Sequence, residues 1–336
     1  MKHLLLVAIG TLMLAGNSMA KIWRVNNNTG VTADFTTVQA AHDGASDGDT
    51  LHLEPSVNSY GNLGMSKRLV IMGMGQFADN NPGIHWDTRL PYVGDVTITD
   101  NGASGSVLMI RTNGRIYLAN VSNITLMRCA SANSSGPPGY VSGYLELVNA
   151  DNILATGCWF TYVYFRSGSN NFLLTNSIIG NCVYNDGGSD GIITNNVINA
   201  MGHYAGNANC GSLYNSVVGN NIYNVYQSGS FFNCNVSNNL APNNNLPDGN
   251  GNQRSVDMST VFVNNAGGFV DNVYQLKPGS PAIGAGGGGI DCGAFGGTSP
   301  FRLAMNPPIP SINKMALPAT PSGNTMTLTF STRSNN

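Results

Sequence analysis

Between Ala150 and Asn250 the chain carries five charged residues: Asp151, Arg166, Asp186, Asp190 and Asp248. Four of them stand at related distances from a recurring turn motif. Asp151 precedes Thr156 by five residues, Arg166 precedes Thr175 by nine, and Asp186 and Asp190 precede Thr194 by eight and four. That spacing places them near the same turn of consecutive structural repeats. Arg166, Asp186, Asp190 and His203, with Tyr184 beside them, form the constellation that could do acid–base work. Polysaccharide hydrolysis needs two carboxylates at a defined separation, and elimination needs a base together with a group that neutralises a uronate. The competing reading is local. Asp151, Asp186 and Asp190 sit in Asn-Ala-Asp-Asn and Asn-Asp-Gly-Gly-Ser-Asp-Gly contexts, where Asx turns use the carboxylate to hold backbone N–H groups.

Aromatic residues crowd the same region. Trp159, Phe160, Tyr162, Tyr164 and Phe165 fall in one repeat, and Tyr184, Tyr204, Tyr214, Tyr223 and Tyr226 follow. The alternation puts Tyr162 and Tyr164 on one face and Phe165 on the other. Aromatic rings beside asparagine amides can stack on sugars and bond their hydroxyls without charge. Tyr162, Tyr164, Tyr184, Tyr204 and Tyr226 are therefore the candidate carbohydrate-binding set. The competing reading places about half of the aromatics in the core.

The element that must position these residues is a repeat. Thr156-Gly157-Cys158-Trp159, Thr175-Asn176-Ser177-Ile178, Thr194-Asn195-Asn196-Val197, Gly219-Asn220-Asn221-Ile222 and Ser237-Asn238-Asn239-Leu240 follow at intervals of 19, 19, 25 and 18 residues. Each comes after a short, mostly apolar stretch. An earlier copy, Ile124–Cys129, fits if 131–139 is a loop insertion. The runs are too short for a helix, and the period accommodates three short strands and three turns. The expected fold is all-β: a right-handed parallel β-helix in which successive coils pair at about 4.8 Å. Asn tolerates the left-handed turn conformation. Asn196, Asn221 and Asn239 are expected to stack as an asparagine ladder, continued by Ser177, Cys158 and Cys129. Stacked thiols are favoured over a bridge for Cys129 and Cys158, while the six cysteines as a set leave both disulfides and buried free thiols open.

Composition agrees with a turn-rich solenoid. The 336 residues include 42 Gly and 46 Asn, only 10% are charged, and the formal net charge is −2. A nucleic-acid binder held by counterion release needs a basic stripe that is absent here. Stacked coils would bring like charges close together, so turns are filled with Asn, Gly and Ser instead.

Residues 1–20 read as a signal peptide, with Lys2 and His3 before an apolar run and small residues before a cut after Ala20. The run is too short for a membrane span. The expected product is secreted, periplasmic or at the cell surface, and monomeric, with extracellular polysaccharide as partner, no nucleic acid and no membrane span. Asp34–Ala45 reads as a short amphipathic cap, about 34–45, with Thr36 and Gln39 as a capping box and Val38, Ala41 and Ala45 on the buried face. Asp47–Leu53 and Lys67–Ile71 read as the first strands. The β-helix is expected over 21–300, with the clearest repeats at about 121–240 and a closing coil at about 271–297. The remainder, 301–336, reads as a Pro-containing tail with one strand at 325–330.

Phe35-Thr36-Thr37-Val38-Gln39-Ala40-Ala41 through Gly48-Asp49-Thr50-Leu51 resembles the entry of secreted bacterial right-handed β-helix proteins of the pectate-lyase-like superfamily. Tyr274–Gly286 and Asp291–Gly296 resemble their closing coil. The resemblance spans roughly Lys21 to Pro300 and implies fold and export. For activity it implies a set: polysaccharide lyases, glycoside hydrolases, adhesins and other repeat proteins. The chain lacks the adjacent Asp pair and the Gly-His-Gly of the pectin hydrolases, offering only Gly202-His203-Tyr204. Arg89-Leu90-Pro91 is similar to an Arg-x-Pro element of the lyases but lies outside the repeats and lacks the later Arg. No cofactor is expected, because no three-carboxylate cluster marks a calcium site. Three readings follow: engagement of extracellular polysaccharide along a lateral face of the coils, a lyase or hydrolase using the Arg166 constellation, and a non-catalytic surface-structural or adhesive solenoid.

Overall fold

The computed structural model describes residues 20–75, 77, 87–131, 143–199, 212–224, 230–263, 271–316 and 326–334. The predicted signal segment, apart from Ala20, and His203, Tyr204 and Tyr226 lie outside these residues.

One face of the molecule is a ten-stranded sheet running Ile22–Val25, Thr50–Leu53, Val70–Met72, Val107–Met109, Thr125–Met127, Leu154–Thr156, Phe172–Thr175, Gly191–Thr194, Ser216–Gly219 and Asn235–Ser237. Every pair in it is parallel. From Thr50–Leu53 onward, the chain crosses between consecutive members to an eleven-stranded sheet and returns. In that second sheet Trp159–Arg166 pairs with Ile178–Asn185 through a register shift between Phe160 and Tyr162. The shift divides each long strand into two shorter ones. Each coil therefore has three strands and three turns, as the repeat length requires, and the fold is a parallel β-helix.

The interior is built from like residues in register. Leu126, Ala155, Leu174, Ile193, Val218 and Val236 stack as successive Cα partners and are all buried. The asparagine ladder stands at the turn that follows. Asn196 Nδ2 donates to Asn221 Oδ1 at 3.0 Å, Asn221 Nδ2 to Asn239 Oδ1 at 3.0 Å, and Asn239 Nδ2 to Asn252 Oδ1 at 3.2 Å. Backbone N–H groups of Ser177, Asn196, Asn221 and Asn239 donate to the side-chain oxygen one coil on. Cys158 N donates to Ser177 Oγ, so the column continues through the free, buried Cys158 and Cys129. Cys182 is disulfide-bonded.

The ladder and the left-handed turn are carried by different residues. The positive φ angles belong to Asn176, Asn195, Asn220 and Asn238, each one position before its ladder residue. An Asn pair is thus split by role: the first bends the backbone and the second satisfies buried polar groups.

Other expectations are corrected in detail. The helix spans Val38–Gly44, and its N-cap is Thr37, whose side chain accepts from Ala40 N. Gln39 does not close a capping box with Thr36; its amide bonds Gly64 N and O across to the next segment. Ile22–Val25 is a strand ahead of the two expected first strands. Residues 271–297 form no strand of the β-helix. They run along the flank, where Ala294 O and Gly296 O accept from Asn176 Nδ2, Asp291 O accepts from Asn195 Nδ2, and Cys292 Sγ donates to Asn238 O. With Val261, Phe262, Tyr274 and Phe301 this segment covers the outward column Trp159, Ile178, Val197, Ile222 and Leu240. The tail holds two strands, Ser311–Ala316 and Thr329–Arg333, paired antiparallel.

Candidate functional site

The outer face of the third strand of each coil is where the sequence candidates meet. In Tyr162–Arg166 the inward residues Val163 and Phe165 are buried, which turns Tyr162, Tyr164 and Arg166 outward. The same alternation in Tyr144–Val148 buries Leu145 and Leu147 and turns Tyr144 and Glu146 outward. Register then aligns the coils. Tyr117, Glu146, Tyr164 and Tyr184 are successive partners, and Tyr144 is the partner of Tyr162. Five half-buried tyrosines and one carboxylate thus occupy two adjacent columns of outward positions, together one lane along the solenoid axis. From Tyr117 to Tyr184 the lane climbs three coils, about 14 Å at about 4.8 Å per coil.

Ring contacts hold the lane rigid. Tyr162 and Tyr164 stack with centroids 5.6 Å apart and 12° between planes, while Tyr144 and Tyr184 meet Tyr164 edge-on at 5.8 and 6.3 Å. Arg166 lies over the Tyr164 ring at 5.2 Å and Arg115 over Tyr117 at 5.0 Å. Tyr164 is therefore the hub, with neighbours around its ring. Tyr162 Oη accepts from Asn181 Nδ2 at 2.8 Å.

Arg166 forms a salt bridge with Glu146, Nε to Oε1 at 2.5 Å. Burial acts to lower the guanidinium pKa, but the hydrogen bond and charge of Glu146 outweigh it, and the net shift is upward. The hydrogen bond with Tyr144 raises Arg115 in the same direction. Burial, reinforced by Tyr162, pushes the Tyr164 phenol up to about 12. These three groups are all moved away from the neutral range in which a general base works.

The aspartates of the constellation hold turns. Asp186 Oδ2 accepts from Ser167 N at 2.7 Å and Ser167 Oγ at 3.1 Å, Asp190 Oδ1 accepts from Asn171 N at 2.6 Å, and Asp151 Oδ1 accepts from Asn170 N at 3.0 Å. Each staples one coil to its neighbour. Among the described residues the ion pair of Arg166 is with Glu146, not with Asp186 or Asp190. The structure brings Arg166, Tyr162, Tyr164 and Tyr184 together in the lane and leaves Asp186 at its rim and Asp190 in the turn beyond.

Tyr117, Tyr144, Glu146 and Arg115 belong to the lane and escaped the sequence reading. The signal for two of them was present: Tyr-x-Glu-x-Val at 144–148 has the same alternation as Tyr-x-Tyr-x-Arg at 162–166. No group of three His, Cys, Asp or Glu side chains is placed to hold a metal among the described residues, and no described helix is long and apolar enough to cross a membrane.

No known protein family matches the chain, and no curated protein matches it. Among solved structures, the crystal structure of pectate lyase Pel9A aligns with a TM-score of 0.30 at 16% identity, covering 84% of this chain and 98% of that one.

Proposed function

We propose that this protein is an exported β-helix that engages extracellular polysaccharide along the lane formed by Tyr117, Tyr144, Tyr162, Tyr164 and Tyr184. The observation that carries the reading is the register: outward tyrosines from four coils, with Arg115, Arg166 and Glu146 among them, line up on a chain of which only 10% is charged. Phenol hydroxyls and the Arg166–Glu146 pair offer donors and acceptors with little net charge, Arg115 being the one cation of the lane outside that pair, which suits sugar hydroxyls. The lane runs along the axis, as an extended polymer requires. Glu146 is the lane's carboxylate, and its hydrogen bond to Arg166 directs that guanidinium over the Tyr164 ring.

The geometry favours binding over cleavage by the Arg166 constellation, since Arg166 is held protonated and Asp186 and Asp190 are engaged with backbone amides. A pull-down against insoluble neutral and acidic polysaccharides tests the reading. Retention of the wild type and loss in Tyr162→Ala/Tyr184→Ala is expected. Failure to bind any of them refutes it. Depolymerisation that disappears in Arg166→Ala would instead establish the enzyme reading.

A further inference from the structure

Beyond Tyr184 the rim of the lane continues into a second aromatic feature. The pairing of Trp159–Arg166 with Ile178–Asn185 ends at Phe165 and Asn185, so Arg166 and Asp186 stand at the next position of adjacent coils. Asn185 then grips the next coil: its Oδ1 accepts from Tyr214 N at 2.7 Å and its Nδ2 donates to Tyr214 O at 2.8 Å. Leu213–Tyr214 pairs in parallel with Phe231–Phe232, placing Phe232 one coil beyond Tyr214. The two rings stack at 4.5 Å with 13° between their planes. Gly187 backs Tyr214 so closely that a Cβ there would stand 3.3 Å from the ring. The order along the axis is Gly187, Tyr214, Phe232.

Phe232 does no core work, being 46% exposed. Its partner is held on both sides, so the ring is presented rigidly, with its aromatic neighbour behind it. A single exposed ring is common on a protein surface; what sets Phe232 apart is its stack on a ring that Asn185 grips from the preceding coil and Gly187 backs. In the lane itself the Tyr164 ring is surrounded by Tyr162, Tyr144, Tyr184 and Arg166, so the hub has little face left for a sugar. Phe232 supplies what the lane lacks.

We propose that the Tyr214–Phe232 stack is a terminal subsite that takes the apolar face of a pyranose ring, at one end of a glycan chain lying parallel to the solenoid axis. The inference rests on the polysaccharide reading above. Continuity with the lane fixes the occupant: from Tyr117 to Phe232 the path climbs five coils, about 24 Å at about 4.8 Å per coil. A chain that reaches Phe232 from Tyr184 must cross two coils, so occupancy depends on oligosaccharide length.

The test titrates β-1,4-linked gluco-oligosaccharides and oligogalacturonates of increasing length, by calorimetry, against wild type, Phe232→Ala and Phe232→Trp. Long members of the series that binds are expected to weaken roughly tenfold in Phe232→Ala, the loss of about one aromatic stacking contact, while short members are unaffected. Phe232→Trp is expected to keep the affinity and to change its indole emission on saturation. Equal affinities of wild type and Phe232→Ala for every length, with binding still lost in Tyr162→Ala/Tyr184→Ala, overturn the subsite and leave the lane. Absence of binding by the wild type to either series overturns both. A wild-type dimer that becomes a monomer in Phe232→Ala also overturns the subsite, because the stack then belongs to an interface between copies.

Discussion

Replacing Asn221 by Asp tests the ladder with a change of one atom. Asn221 is fully buried. Its Nδ2 donates to Ile193 O at 2.8 Å and Asn239 Oδ1 at 3.0 Å, and its Oδ1 accepts from Asn196 N at 2.9 Å and Asn196 Nδ2 at 3.0 Å. In Asn221→Asp both acceptances survive, but an oxygen replaces the nitrogen between two other oxygens. Ionised, the carboxylate has no cation near it in the ladder, and an uncompensated buried charge costs about 3–5 kcal/mol. That is a large part of the roughly 5–15 kcal/mol that holds a domain together. Burial raises the folded-state pKa of this Asp above its unfolded value of about 3.9, so the folded chain favours the protonated form. The penalty is therefore small below about pH 4, where a carboxyl O–H restores one of the two donations, and grows as pH rises toward the folded pKa. A residual loss of about 1–2 kcal/mol for the other donation remains in acid. Urea unfolding of both proteins at pH 4 and pH 7 measures the difference. A gap between wild type and variant that is largest at pH 7 is expected. Equal midpoints at pH 7, or a gap that widens in acid, would refute the role given to the ladder.

Three further outcomes are expected. The raised pKa of Tyr164, about 12 against an ordinary value of about 10, makes its neutral phenol stabilising below pH 10 and progressively less so as pH climbs through 12; Tyr164→Phe should delete one late step from an ultraviolet tyrosinate titration, and an unchanged curve contradicts this. Cys129 and Cys158 are wholly buried and the Cys292 thiol is pushed up to about 12 by burial, while Cys234 is partly exposed; a disulfide reagent should label Cys234 in the native protein and the other three only on unfolding, and native labelling of Cys158 at a matching rate contradicts it. A Cβ on Gly75 would sit 1.7 Å from Ala304 O, a backbone atom that cannot swing aside; Gly75→Ala should loosen 301–316 at a cost of about 1–3 kcal/mol, read as proteolysis after Arg302 with the coils intact, and wild-type resistance contradicts it.

The coils were legible because their logic is local. A turn of fixed type every 18 to 25 residues announces itself by an Asn followed by Asn or Ser in four of its five copies, and interior positions such as Leu174, Ile193 and Val218 alternate with outward ones. The division of each Asn pair was not legible, because the left-handed Asn195 and the laddered Asn196 look alike until φ is known. Nor was the path of 271–297, whose partners Asn176, Asn195 and Asn238 lie far off in sequence. In the candidate site, composition and alternation point to Tyr162, Tyr164, Tyr184 and Arg166, which the register sets on adjoining coils. Glu146 is not legible as the partner of Arg166, because it lies ahead of the regular repeats and stands as far from Arg166 in sequence as Asp186 does; only the register of 144–148 with 162–166 pairs them.

Hydrogen–deuterium exchange with and without a bound oligosaccharide tests the central claim most directly. The account predicts slowed exchange at 116–119, 144–148, 162–166 and 182–185, the strands under the tyrosine lane, with the ten-stranded sheet unchanged. Slowing confined to the outer face of that sheet, at 154–156, 172–175 and 191–194, would contradict it.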